Sequence, residues 1–212
     1  MTRRAGPHHH AHGGHRGPHG NPADFEAYLA RQLNPERARW QKPDRVVRAL
    51  GLRRGQTACE LGAGPGYFAL RLARAVGPRG QVYAVDAEPQ MLEALVERIR
   101  KARVRNVTPV LGLDEEPFLP PRSCDLILVV NTYHHFPDGP AYLRRLRRSL
   151  KPSGRLVNID FHKRETPVGP PLEHRVTREE FLRDSRRAGL RLAGEFNFLP
   201  YQYFLVLRLR SP

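Results

Sequence analysis

Apolar residues recur at helical intervals in the first ordered stretch of the chain. Phe25, Tyr28, Leu29 and Leu33 form one stripe. Asn34-Pro35 reads as an N-cap followed by Pro at the first helical position, which predicts a short second helix ending near Trp40. Lys42-Pro43 opens a third, with Val46, Val47 and Leu50 inward and Gly51 as its C-cap.

The period then changes. Strands are predicted at Thr57–Leu61, Gln81–Asp86, Val107–Leu111, Asp125–Val130 and Arg155–Phe161. The run DLILVV at 125–130 is apolar on both alternating faces, as a central parallel strand requires. Between the strands lie amphipathic helices at Tyr67–Val76, Pro89–Lys101 and Ala141–Leu150. Thr177, with Glu180 three residues on, predicts a capping box and a helix running to Ala188. Arg191–Phe198 and Tyr201–Leu209 are separated only by Leu-Pro, so they should pair antiparallel. Strands alternating with helices predict an α/β fold with a doubly wound sheet.

The 212 residues suit one folded domain, and their 40% hydrophobic content excludes wholesale disorder. The net charge of +15 keeps nucleic acid open as a partner. Its distribution argues otherwise: 32 of the 36 basic residues are Arg, spread along the chain. In YLRRLRRSL at 142–150 the arginines fall on the faces away from Leu143, Leu146 and Leu150, and Arg183, Arg186 and Arg187 repeat the pattern, so solvated helix faces are expected. Two cysteines, Cys59 and Cys124, make no disulfide framework, which with the lack of an apolar signal or spanning segment predicts a cytoplasmic protein without a membrane span. Six of the ten histidines crowd into residues 1–20 among Gly and Pro, predicting a disordered tail for which no physiological metal is expected.

The chemistry begins where the first strand ends. Glu60-Leu61-Gly62-Ala63-Gly64-Pro65-Gly66-Tyr67 is a Gly-rich turn that lets a ligand approach the backbone, with a helix N-terminus behind it. Asp86, ending the second strand, suits a ribose diol. A dinucleotide fingerprint needs a third glycine at 67, where Tyr67 stands. The observed G-x-G-x-G carries an acid, Glu60, two residues before its first glycine. That acid crowds a pyrophosphate and suits an ammonium. S-adenosylmethionine has the ammonium and the ribose and lacks the phosphate, so it is the expected cofactor.

With ELGAGPG at 60–66, VYAVD at 82–86, Asp114, DLILVVNTYHHF at 125–136 and LKPSGRL at 150–156, the chain resembles the class I S-adenosylmethionine-dependent methyltransferases of the small-molecule type 11 group. The resemblance implies a Rossmann-like, seven-stranded sheet with its last strand reversed. It also implies a domain over 21–212, made of an N-terminal helical lid (21–50), a cofactor-binding core (51–161) and a C-terminal loop, helix and two strands (162–212). Cofactor contacts are expected from Glu60, Gly62, Gly64, Gly66 and Tyr67 around the methionine part, from Asp86 and Ala87 at the ribose, from Asp114 and Glu115 at the adenine, and from Asn131. Metal ligands are not expected. Beyond the core, NPERARWQKPD at 34–44, DFHKRETPVGPPLEHR at 160–175 and LPYQYFLV at 199–206 resemble a bacterial subset of these enzymes.

Methyl transfer needs positioning and exclusion of water, and a base only where the acceptor must lose a proton. Tyr133, His134 and His135 follow the fourth strand, on the edge where open α/β sheets bind ligands, and are the catalytic candidates. Asp160 and His162 form a second acid/base candidate. Tyr28, Trp40, Gln41, Lys42, the loop 162–176 with Pro167, Gly169, Pro170 and Pro171, and Tyr201, Gln202 and Tyr203 are candidate acceptor-pocket residues. A small-molecule acceptor is expected; RNA methylation and non-catalytic cofactor binding are the alternatives. Asn131-Thr132-Tyr133-His134 lacks the pattern of DNA amino-methyltransferases, and Cys59 and Cys124 are poorly placed for a soft-metal cluster of the kind arsenite methylation uses.

Overall fold

The computed structural model describes residues 25–113 and 115–210. The segment 1–20 and Asp114, both assigned roles above, lie outside the described residues. Three helices open the fold: α1 (Phe25–Leu33), α2 (Arg37–Gln41) and α3 (Pro43–Ala49). There follow β1 (Thr57–Leu61), α4 (Ala69–Val76), β2 (Gln81–Asp86), α5 (Pro89–Ala102), β3 (Val107–Leu111), β4 (Cys124–Val130), α6 (Gly139–Ser149), β5 (Leu150–Phe161), α7 (Arg178–Arg187), β6 (Leu190–Phe196) and β7 (Gln202–Leu209).

The strands form one sheet in the order β3-β2-β1-β4-β5-β7-β6. β1 to β5 run parallel, and β7 lies antiparallel between β5 and β6. The predicted seven-stranded, doubly wound sheet with a reversed last strand is therefore the observed fold. Alternation along β4 divides the core. Leu126, Leu128 and Val130 belong to the layer under α3 to α5, which holds Val46, Phe68, Leu72, Val76 and Leu95. Ile127 and Val129 turn the other way, among Leu143, Leu146, Phe181 and Leu182 of α6 and α7. Phe68, Leu72 and Val76 are each fully buried, and each contributes about 1.5–3 kcal/mol of burial free energy.

Local departures from the sequence reading have identifiable causes. α4 starts at Ala69 rather than Tyr67, because the residues of the Gly-rich turn are used in the loop. Asn34 does not cap α2; its Oδ1 accepts from Glu36 N–H at 2.9 Å, closing a turn one residue before the helix. β5 begins at Leu150, pairing with Cys124, and the register then shifts before Leu126 pairs with Arg155. The Thr177–Glu180 capping box forms as the sequence predicts.

Candidate active site

The carboxyl ends of β1, β2 and β4 open into a cavity of about 360 Å³, roofed by α1 and α2. Its floor is the Gly-rich turn. Gly62 has φ +68°, and a Cβ there would lie 2.2 Å from Thr132 Oγ1, so only glycine fits between the ends of β1 and β4. Gly66 has φ +80°, and a Cβ would meet Leu95 Cδ1 at 2.4 Å. Gly66 therefore serves the contact with α5 and is not on the cavity wall, whereas Gly62, Ala63, Gly64 and Pro65 are.

Glu60 is 3% exposed and accepts hydrogen bonds from the backbone N–H groups of Phe68 and Ala69. It thus caps α4, whose own N-cap residue Phe68 makes no side-chain cap. Glu60 Oε2 has no hydrogen-bond partner among the described residues and belongs to the cavity wall. Burial pushes the carboxyl up to about 8, against the pull of Arg37 and the two backbone donors. The Tyr67 hydroxyl, also on this wall, is likewise buried without a partner there, and burial raises its pKa.

Asp86 lines the cavity and fixes the turn. Its Oδ2 accepts from Gly64 N–H at 2.6 Å and its Oδ1 from Glu88 N–H at 3.0 Å. Ala87, Glu88, Met91, Gly112 and Leu113 continue the wall; of these only Ala87 was singled out in the sequence. Glu115 is exposed and off the cavity.

The segment after β4 is a 3₁₀ turn over Tyr133–His135. Asn131, with φ +54°, precedes it and faces the cavity; its amide is held by Gln202 and lies 3.5 Å from Gln41 Oε1. The three catalytic candidates diverge from there. Tyr133 is fully buried, donates to Asp184 Oδ2 at 2.8 Å and packs edge-on against Phe136 and Phe181. His134 is 2% exposed, with Nδ1 3.0 and 3.1 Å from the two Asp160 oxygens. Neither lies on the cavity wall; His135 does, its ring 4.2 Å from that of His134. Asp160 is thus spoken for by His134 rather than His162, whose ring instead stands edge-on to Tyr203 and whose pKa is lowered by burial.

Most of the residues proposed for acceptor choice prove to be packing. Trp40 tilts against Phe161, Gln41 donates to Gln202 Oε1 at 2.7 Å, and Lys42 Nζ donates to the Phe198 carbonyl at 2.8 Å. Tyr201, Gln202 and Tyr203 are off the wall, and Tyr203 is buried. Pro167, Gly169, Pro170 and Pro171 line a separate, open depression. The loop there is pinned by Arg175, which donates to the carbonyls of His162, Arg164 and Pro170. Tyr28 does reach the cavity, and with it Arg31, Gln32 and Arg37, which were not anticipated. Tyr28, Arg31 and Gln32 share one helical face by their i, i+3, i+4 spacing, a signal present in the sequence.

Cys59 and Cys124 are buried in the sheet, where desolvation raises both thiols. Among the described residues no group of three or more His, Cys, Asp or Glu is arranged to hold a metal ion, and no helix is long and apolar enough to cross a membrane.

A seven-stranded sheet with a reversed last strand, carrying a Gly-rich turn and a β2-end carboxylate in one cavity, is the architecture of class I methyltransferases. Residues 58–154 match the family model for a methyltransferase domain. The chain is 31% identical over 154 residues to a protein-L-isoaspartate O-methyltransferase of Methanothrix thermoacetophila, covering 70% of this chain and 67% of that one. It is 32% identical over 129 residues to a demethylmenaquinone methyltransferase of Staphylococcus aureus, where the match covers 61% of this chain and 52% of the relative, so it spans about half of that protein's length. The crystal structure of an S-adenosylmethionine-dependent methyltransferase from Aquifex aeolicus superposes with a TM-score of 0.82 at 27% identity, over 85% of this chain and 96% of that one. The chain belongs to the class I S-adenosylmethionine-dependent methyltransferases of the type 11 kind, and its cofactor is S-adenosyl-L-methionine.

Proposed function

We propose that this enzyme transfers a methyl group to a small-molecule acceptor that enters the cavity under α1. The observation that carries the reading is the enclosure. The Gly-rich turn, Glu60 and Asp86 at the floor and His135 at the wall share one cavity with Tyr28, Arg31 and Gln32 of the roof. A space of about 360 Å³ is in the range of small-ligand pockets, roughly 300–1,000 Å³.

The cofactor supplies a methyl group already activated on a sulfonium. Glu60 Oε2 and the Tyr67 hydroxyl, buried without a partner among the described residues, fit its ammonium end. Asp86, whose backbone bonds hold the floor in shape, lines the cavity where the ribose hydroxyls would lie. Ala87, Met91 and Leu113 offer an apolar wall for the adenine. Asn131, held in the left-handed region by its neighbours, marks the passage from donor to acceptor. His135 is the residue placed to take a proton from the acceptor where one must leave. His134, tied to Asp160 beneath it, and Tyr133, tied to Asp184, position that turn.

The names of two relatives give a protein isoaspartate and demethylmenaquinone as acceptors; the second is of the small-molecule class proposed here. A second reading, RNA methylation, draws on the arginines Arg147, Arg148, Arg183, Arg186 and Arg187, exposed on the adjoining helices α6 and α7. Incubating the protein with methyl-labelled S-adenosylmethionine and fractionated cell extract separates the two. Label is expected in low-mass organic fractions; label confined to RNA overturns the small-molecule reading.

A further inference from the structure

We propose that Arg37 is the counter-ion for the α-carboxylate of the donor, so that the N-terminal helices complete the donor site and select a donor that carries this group. The inference rests on the reading above, in which the amino-acid end of the donor lies at Glu60.

Arg37 is the first residue of α2, and its side chain lines the cavity together with Glu60 and Tyr67. The guanidinium lies over the Tyr67 ring, with Cζ 4.0 Å from the centroid. Nη1 donates to the backbone carbonyl and to Oε1 of Gln32, both at 3.0 Å, and Nε donates to Gln41 Oε1 at 3.3 Å. These acceptors are neutral: they orient the group without pairing its charge. Among the described residues no carboxylate comes within 4.0 Å of it as an ion-pair partner, although Asp44, Glu97 and Glu195 pair with other arginines. Desolvation accordingly lowers the Arg37 pKa, and the charges of Tyr67 and Glu60 oppose it.

Arg37 is half-buried, and a partly desolvated cation with no ion-pair partner among the described residues is costly; in a ligand cavity the anion is expected from the ligand. A planar guanidinium matches a carboxylate in shape and can bind it with two parallel hydrogen bonds. Glu60 Oε2, the unpartnered acceptor on the same wall, supplies the opposite sign. Together the two residues offer complements to both ends of a zwitterion. The position of Arg37 is itself transmitted to the sheet, because Gln41, which accepts from its Nε, donates to Gln202 at the start of β7, and Gln202 donates to Asn131. Recognition of the carboxylate would therefore fasten α2 over the cavity.

The test is calorimetric binding of S-adenosylmethionine and of decarboxylated S-adenosylmethionine to the full chain and to Arg37→Met and Arg37→Lys, with a melting curve for each protein. The wild type is expected to prefer the carboxylated donor by about 10- to 100-fold, the range of a charge-assisted hydrogen-bonded pair. Arg37→Met should reduce that preference to about 3-fold or less by weakening S-adenosylmethionine alone, and Arg37→Lys should restore part of it. Equal loss for both ligands in a folded Arg37→Met protein would make Arg37 a wall residue and overturn the assignment. So would a wild type that does not distinguish the ligands. A wild type that binds neither ligand would instead remove the donor-site reading on which the assignment rests.

Discussion

The floor and the roof of the cavity are built in opposite ways. At the floor, backbone conformation does most of the work. Gly62, Gly64 and Gly66 all take positive φ, Asp86 bonds the turn, and Glu60 caps α4 from the preceding strand. These contacts lie within about one β-α-β unit and surround fully buried strands. The roof has no such foundation: α1 buries none of its residues completely, and α2 has only five residues. It is held by contacts distant in sequence, through Gln41 to Gln202, Lys42 to the Phe198 carbonyl and Trp40 to Phe161. The cavity thus has one half set by local geometry and another whose position depends on long-range contacts.

The difference between the floor and the acceptor side is sharpest in kinetics. If the floor holds the donor and the turn after β4 acts on the acceptor, His135→Ala should reduce turnover about 100-fold or more for an acceptor that loses a proton. Its affinity for S-adenosylhomocysteine should stay within about 3-fold, since His135 lies on the wall after β4 and not in the Gly-rich turn. His134→Ala should instead lower the melting temperature, by exposing the unpaired Asp160 carboxylate in the core. Steady-state rates, calorimetry and thermal melts on the two variants make the comparison. Equal losses of turnover and affinity in His135→Ala would mean that the two regions are not separable.

A smaller effect probes the floor alone. The Glu60 carboxyl, pushed up to about 8, is largely neutral in the free protein at pH 7. An ammonium ligand requires its carboxylate, so binding releases a proton, and affinity should climb between pH 6 and 8, by at most about tenfold per pH unit, and then level off. Arg37 and Asp86 face Glu60, and Arg98 also feels its charge; Arg37 holds its pKa down and Asp86 holds it up. In the free protein the raised pKa has a matching consequence. Its stabilising contribution is complete below the ordinary value of 4.5 and is lost as pH rises through about 8, so the melting temperature should fall over that interval. Glu60→Gln should flatten both profiles. Calorimetry and thermal melts across pH 5–9 check them, and an unchanged slope in Glu60→Gln would assign the proton to another group.

The make-up of the floor was legible in the sequence because its residues are contiguous: a strand, a Gly-rich turn, a flanking acid and a second acid at the next strand end, of which Glu60, Gly62, Gly64 and Asp86 line one cavity. The role of Glu60 as the cap of α4 was not legible, because a residue eight or nine positions earlier satisfies that helix end across a turn. Nor was the choice among Tyr133, His134 and His135. A 3₁₀ turn advances about 120° per residue, so three consecutive side chains point in three directions, and only the assembled neighbours decide which direction is the cavity. Here those neighbours are Asp184 for Tyr133, Asp160 for His134 and the cavity for His135. Arg37 was hidden for a related reason: in a chain with 32 arginines, nothing local distinguishes those that line the cavity from those on solvated helix faces.

The central claim, that Glu60, the Gly-rich turn and Asp86 form the donor floor, is tested most directly by titrating S-adenosylhomocysteine into the wild type and Asp86→Ala by calorimetry. Binding to the wild type, weakened about 100-fold in a folded Asp86→Ala protein, is the expected result. Equal affinity in the two proteins would contradict it.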